Sequence, residues 1–93
     1  MESQELEGMV SVVTGAAQGL GLGIARELAE RGSKVIVADL QLEKAQAECE
    51  KLRCKDLDVV AIELDIINSE EVSNFFSKIE QLDILVNNAG TGQ

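Results

Sequence analysis

The segment Thr14-Gly15-Ala16-Ala17-Gln18-Gly19-Leu20-Gly21 constrains this chain more than any other stretch of it. A β-branched apolar run, Met9 to Thr14, precedes it, and Leu20 to Arg31 follows with apolar residues at Leu20, Ile24 and Leu28. A short apolar run passing into helical spacing predicts strand, turn, helix. Gly15 suits the tight turn after a strand, Gly19 allows a close approach to the backbone, and Gly21 allows close packing of helix on strand. Such a turn aims backbone N–H groups at whatever lies before the helix, an arrangement that binds phosphate. A plain glycine-rich strand-to-helix turn is the alternative.

The same alternation continues to the end. Gly32 punctuates the first helix, and Lys34 to Asp39 forms a second apolar strand ending in an acid. Leu42, Ala45, Cys49 and Leu52 recur at helical spacing, so Gln41 to Arg53 is predicted as an amphipathic helix with Cys49 on its buried face. Asp58 to Asp65 is a third strand. Asn68 with Glu71 resembles a capping pair opening a helix over Ser69 to Glu80, with Val72, Phe75, Phe76 and Ile79 as its apolar stripe. Asp83 to Asn87 is the last strand. Strands apolar along their length, alternating with helices, predict an α/β, Rossmann-like parallel sheet. Right-handed crossovers give strand order 3-2-1-4 with three helices, the first two on one face and the third on the other. With 93 residues there is room for one domain.

Charge narrows the partners. A formal net charge of -9 opposes nucleic acid and anionic membrane surfaces. No apolar run approaches the ~20 residues of a spanning helix. Met1 to Gly8 carries Glu2, Glu5 and Glu7 and resembles neither a signal peptide nor a transit peptide. Cys49 and Cys54 have no His to join them in a metal site, and C-x-x-x-x-C is not the spacing of a redox pair. Free thiols in the cytoplasm are the expectation, with no metal.

Two familiar phosphate-binding patterns fail. Ile24 stands where G-x-G-x-x-G requires a small residue, and the chain contains no Gly-Lys-Ser or Gly-Lys-Thr. Gly23, inside the first helix, costs ~1 kcal/mol relative to Ala and is explained only by close packing. Asp39, followed by Leu40, lies near the ~20-residue interval from the glycine turn expected of an acid that binds adenosine ribose hydroxyls. That favours NAD over NADP, since no basic residue is visible nearby and Gln18 occupies a place where one could meet an extra phosphate. Capping the next helix is the alternative role of Asp39, and strand termination or helix capping that of Asp65.

Thr-Gly-x-x-x-Gly-x-Gly after strand one, Asp39 after strand two, Asp65 after strand three and Asn87-Asn88-Ala89-Gly90 after strand four together resemble the short-chain dehydrogenase/reductase family. The resemblance implies that Thr14, Gly15, Gln18, Gly19, Leu20 and Gly21 surround a pyrophosphate. It places Asp39 at the adenine ribose, Asp65 and Ile66 at the adenine, and Asn87, Ala89 and Gly90 at the inner ribose. Asn87 and Asn88 would also help fix the central sheet, unless they are turn residues only.

The family's catalytic Ser, a further Asn and Tyr-x-x-x-Lys lie beyond Asn-Asn-Ala-Gly. The chain has no Tyr and no His. Residues 1–93 are therefore expected to be a truncated, partial NAD-binding domain with no catalytic residue, inactive alone, whose parent moves a hydride between NAD and an alcohol or carbonyl. The third helix also looks shorter than is usual in the family. A different expectation is a non-catalytic module that forms a homo-oligomer or complex through the exposed edge of its last strand.

Overall fold

The structure, a computed structural model, describes residues 5–88. Strands β1 (Val10–Thr14), β2 (Lys34–Asp39), β3 (Val59–Glu63) and β4 (Ile84–Asn87) alternate with helices α1 (Gly19–Glu30), α2 (Leu42–Arg53) and α3 (Ser69–Ser77). All strand pairs are parallel and the order is β3-β2-β1-β4. Thr14 is level with Ala38 on one side and Asn87 on the other, and Asp39 is level with Glu63. The C-terminal ends of the strands therefore gather the candidate residues along one rim.

Pleating divides the core between the two faces. Val13, Val35, Val37 and Val59 pack with Ala25 and Ala29 of α1 and Ala45, Cys49 and Leu52 of α2. On the opposite face Val12, Ala38 and Leu64 meet Val72, Phe75, Phe76 and Ile79 from α3 and its end. Val12, Val13, Val35 and Val37 are fully buried, each worth about 1.5–3 kcal/mol of transfer free energy. Coverage of the second face is thinner, because no residue of α3 is fully buried. Among the described residues, no helix is long and apolar enough to cross a membrane.

Helix α1 meets the sheet differently from what its large apolar residues suggest. Its buried line is Gly21, Ala25 and Ala29, whereas Leu20 is 72% exposed. Small residues let the helix axis come close to β1, and a Leu on that line would hold it off. Gly23 is exposed, and a Cβ there would meet nothing within 4 Å. Close packing therefore does not explain it.

Two boundaries move for visible reasons. Strand β3 ends at Glu63 because the Leu64 N–H makes the last bond to β2, at Asp39 O, after which Asp65 starts a turn. Helix α3 stops at Ser77. The Lys78 and Ile79 N–H groups donate to carbonyls three residues back, a tighter turn that ends an α-helix and releases the chain toward β4. Its start is as expected: the Asn68 side chain caps it by accepting from the Glu71 N–H at 3.0 Å.

Candidate functional site

The turn between β1 and α1 is built on two residues in the left-handed region, Gly15 at φ 64° and Gly19 at φ 62°. A side chain would strain either position. The Gly15 N–H donates to the Ala38 carbonyl at 2.8 Å, which carries the β1–β2 ladder into the turn. Ala16 and Ala17 are fully buried beneath it. Gln18 occupies the N-cap position of α1 with no side-chain cap bond, and no acidic residue sits in the first turn. The first amides of α1 thus keep their outward donors and the positive end of the helix dipole, with open space over Gly19.

Gly21 is where the turn touches the rest of the fold. A Cβ there would lie 2.3 Å from the Gly15 carbonyl oxygen and 2.7 Å from Asn88 Nδ2. That amide donates to the same carbonyl at 3.2 Å. One residue earlier on each strand, the Thr14 hydroxyl donates to Asn87 Oδ1 at 2.9 Å. Asn87 and Asn88 are therefore cross-links between the end of β4 and the glycine turn, beyond any part they play in a turn of their own. Ala89 and Gly90 lie outside the described residues.

Asp39 is not the cap of α2; that position belongs to Gln41. Its carboxylate, 9% exposed, accepts from the Ala17 N–H at 2.9 Å through Oδ2 and from the Gln41 N–H at 2.8 Å through Oδ1. The acid at the end of β2 thus binds the glycine turn to the start of α2. Leu40 beside it is 61% exposed. Asp65 Oδ1 accepts from the Ile67 N–H at 3.0 Å, closing a local turn, and Asn68 caps α3 instead. Asp39, Leu40, Asp65 and Ile66 line one cleft of about 240 Å³, and Thr14, Ile66 and Asn87 line another of about 240 Å³. The two adjoin at Leu64 and Ile66.

A wider cleft of about 430 Å³ lies at the opposite ends of the strands, bordered by Glu7, Glu30, Asp56 and Asp58 with Lys34. Its acids repel an anion. In open parallel sheets ligands bind outside the carboxyl ends of the strands, where neighbouring connections diverge to opposite faces. The rim beside β1 fits that rule.

Lys44 belongs to none of the motifs read from the sequence. Its Nζ donates to Gln18 Oε1, which brings a cation from the first turn of α2 onto the glycine turn. The expectation that no basic group stands near is therefore corrected. Chain separation hid the contact, although the closeness of Lys44 to the start of α2 was the available signal.

Known proteins agree with this geometry. A family model described as short chain dehydrogenase matches residues 9–93. An uncharacterized oxidoreductase of Thermotoga maritima is 41% identical over 88 residues, covering 90% of this chain and 34% of its own. A hydroxynaphthalene reductase-like protein of Metarhizium guizhouense is 43% identical over 93 residues, covering 95% and 35%. The crystal structure of a metagenomic short-chain oxidoreductase in complex with NADP superposes with a TM-score of 0.86 at 33% identity, over 94% of this chain and 41% of that one. The chain thus spans about a third of the length of the curated relatives it matches. With the glycine turn, the 3-2-1-4 sheet and the paired asparagines in place, the chain belongs to the short-chain dehydrogenase family.

Proposed function

We propose that residues 1–93 form the adenosine-binding part of a nicotinamide-dinucleotide domain, and that the whole protein is an oxidoreductase acting on an alcohol or carbonyl. The observation that carries this is the open start of α1: the Gln18 side chain makes no cap bond to the first amides, and a Cβ at Gly19 would meet nothing within 4 Å. A pyrophosphate suits those donors. Thr14, Gly15, Gln18, Gly19, Leu20 and Gly21 would hold it, Asp39 and Leu40 would meet the adenosine ribose, and Asp65 and Ile66 the adenine. Asn87, with Ala89 and Gly90, would lie toward the inner ribose. When bound, the dinucleotide supplies or accepts the hydride.

NAD is the proposed cofactor. The Asp39 carboxylate would stand near the additional phosphate of NADP, and two unit charges at ~4 Å repel by ~4 kcal/mol at an effective dielectric near 20. Screening reduces this to ~1–3 kcal/mol, or about ten- to a hundredfold in affinity before any neighbouring cation is counted. No catalytic residue is assigned within these residues, which contain neither Tyr nor His. Two free thiols, one of them exposed, support a reducing compartment such as the cytoplasm.

Saturation-transfer NMR with NAD, ADP-ribose and nicotinamide mononucleotide tests the proposal. NAD and ADP-ribose should bind with similar, weak affinity through the adenosine protons, and the mononucleotide should give no signal. Preferential contact to the nicotinamide ring would overturn it.

A second function is favoured by one observation: among the described residues β4 pairs only with β1, and Leu85 is 50% exposed on it. Such an edge can pair with another strand, making the chain an interaction module or a homo-oligomer. Association that is unchanged by NAD would support this function, and a monomer that NAD alone orders would refute it.

A further inference from the structure

We infer that Lys44 is a specificity residue of the nucleotide site: its side-chain cation stands at the ribose edge of the glycine turn and offsets part of the penalty that Asp39 sets on a 2′-phosphate, narrowing the preference for NAD without reversing it. The inference rests on the proposed nucleotide-binding function and concerns the side of the ligand that faces β2.

Asp39 and Lys44 bear on neighbouring residues of the turn. The Asp39 carboxylate accepts from the Ala17 N–H, and the Lys44 ammonium donates to the next side chain, Gln18. Both contacts lie on the β2 side of the turn, whereas Asn87 and Asn88 hold its β4 side. A ribose against Asp39 would therefore have the Lys44 cation at its margin.

Arg26, Arg31 and Lys51 each pair with a Glu three or four residues away, and the Arg53 guanidinium donates to the Val59 carbonyl. Lys34, Lys55 and Lys78, like Lys44, make no ion pair among the described residues, but of these four only the Lys44 ammonium is held by a side chain, and that side chain belongs to the glycine turn. Glu43 and Glu63 line the same surface cleft as Lys44. In a chain with 17 acids and 8 bases, its ammonium rests on a neutral amide oxygen instead. A neutral acceptor leaves the full charge and two of the three N–H donors for an incoming anion. The tether to Gln18 also reduces the side-chain entropy lost when that anion arrives.

The test compares adenosine 2′,5′-bisphosphate with 5′-AMP, titrated calorimetrically into the full 93-residue chain. Lys44→Gln should weaken the bisphosphate about three- to tenfold and leave 5′-AMP within about twofold, while Lys44→Arg should retain most of the bisphosphate affinity. Equal losses for both ligands would mean that Lys44 only supports the turn, and no loss for either would mean that its cation faces solvent. Both results would overturn the inference while leaving the nucleotide site intact. Failure of the wild type to bind either ligand would overturn the nucleotide site itself, and this inference with it. Lys44 is exposed, so both variants should match the wild-type thermal transition.

Discussion

The Asn88 side-chain amide donates to the Gly15 carbonyl at 3.2 Å, joining the end of β4 to the turn that follows β1. Gly21 lies against both groups. Gly21→Ala would place a methyl 2.3 Å from that carbonyl, so backbone must move. The expected loss is about 1–3 kcal/mol or more. Gly23→Ala is the internal control: its methyl meets nothing within 4 Å, and the substitution should gain up to about 1 kcal/mol. Urea denaturation of both variants checks the opposite signs, and equal effects would refute the close approach at Gly21.

Asp39 carries structure as well as the proposed ribose contact. Asp39→Ala removes the acceptor for the buried Ala17 N–H and should cost about 1–3 kcal/mol of stability. In parallel titrations of NAD and NADP, the same variant should lose most of the wild-type preference for NAD. A stability loss with unchanged discrimination would restrict Asp39 to fastening the turn.

Acid should loosen the start of the β1–β4 pair. The Val10 N–H, which donates to Asp83 Oδ2 at 2.8 Å, holds the Asp83 carboxyl below its ordinary range, with the Gln81 amide adding to the effect. For a lowered carboxylate, the stabilisation is fully present above the unfolded value near ~3.9 and is lost as pH falls through the lower folded value. Urea midpoints measured from pH 6 down to pH 2 should fall less steeply in Asp83→Asn than in the wild type. Parallel curves would remove Asp83 from the acid response.

The two thiols should separate cleanly. Burial pushes the Cys49 thiol up, whereas Cys54 is exposed. Ellman's reagent at pH 8 should modify Cys54 rapidly and Cys49 only as fast as the chain opens. A raised thiol contributes stability that is fully present below the unfolded value near ~8.5 and is lost as pH rises through the folded value, so Cys49→Ala should flatten the alkaline limb. Fast modification of both thiols would contradict the buried placement.

Much of this arrangement is legible in the sequence because local rules and fold agree. Strand β2 occupies Lys34–Asp39, the residues its apolar run delimits, and Asn68 caps α3 as its spacing from Glu71 indicates. What stays hidden depends on distance or on small residues. Leu20 has the hydropathy of a core residue, but α1 approaches β1 through Gly21, Ala25 and Ala29, whose size gives them little weight in a hydrophobic pattern. The Asp39 bond from the Ala17 N–H requires β2 to lie beside β1 first, and the reach of Lys44 to Gln18 requires α2 to be laid against the turn. Spacing along the chain encodes neither, whereas the bond from the Gln41 N–H to Asp39 is local.

The cross-link from β4 also sets an order of events. Thr14 and Gly15 bond to Asn87 and Asn88, partners 73 residues further along. During synthesis at about 5–20 residues per second, the glycine turn therefore waits several seconds for the groups that lock it. Closing so large a loop is slow compared with forming α1 or pairing β1 with β2, so the turn is finished late in folding. Until β4 docks, the nascent chain carries the whole glycine motif without the asparagines that fasten its shape.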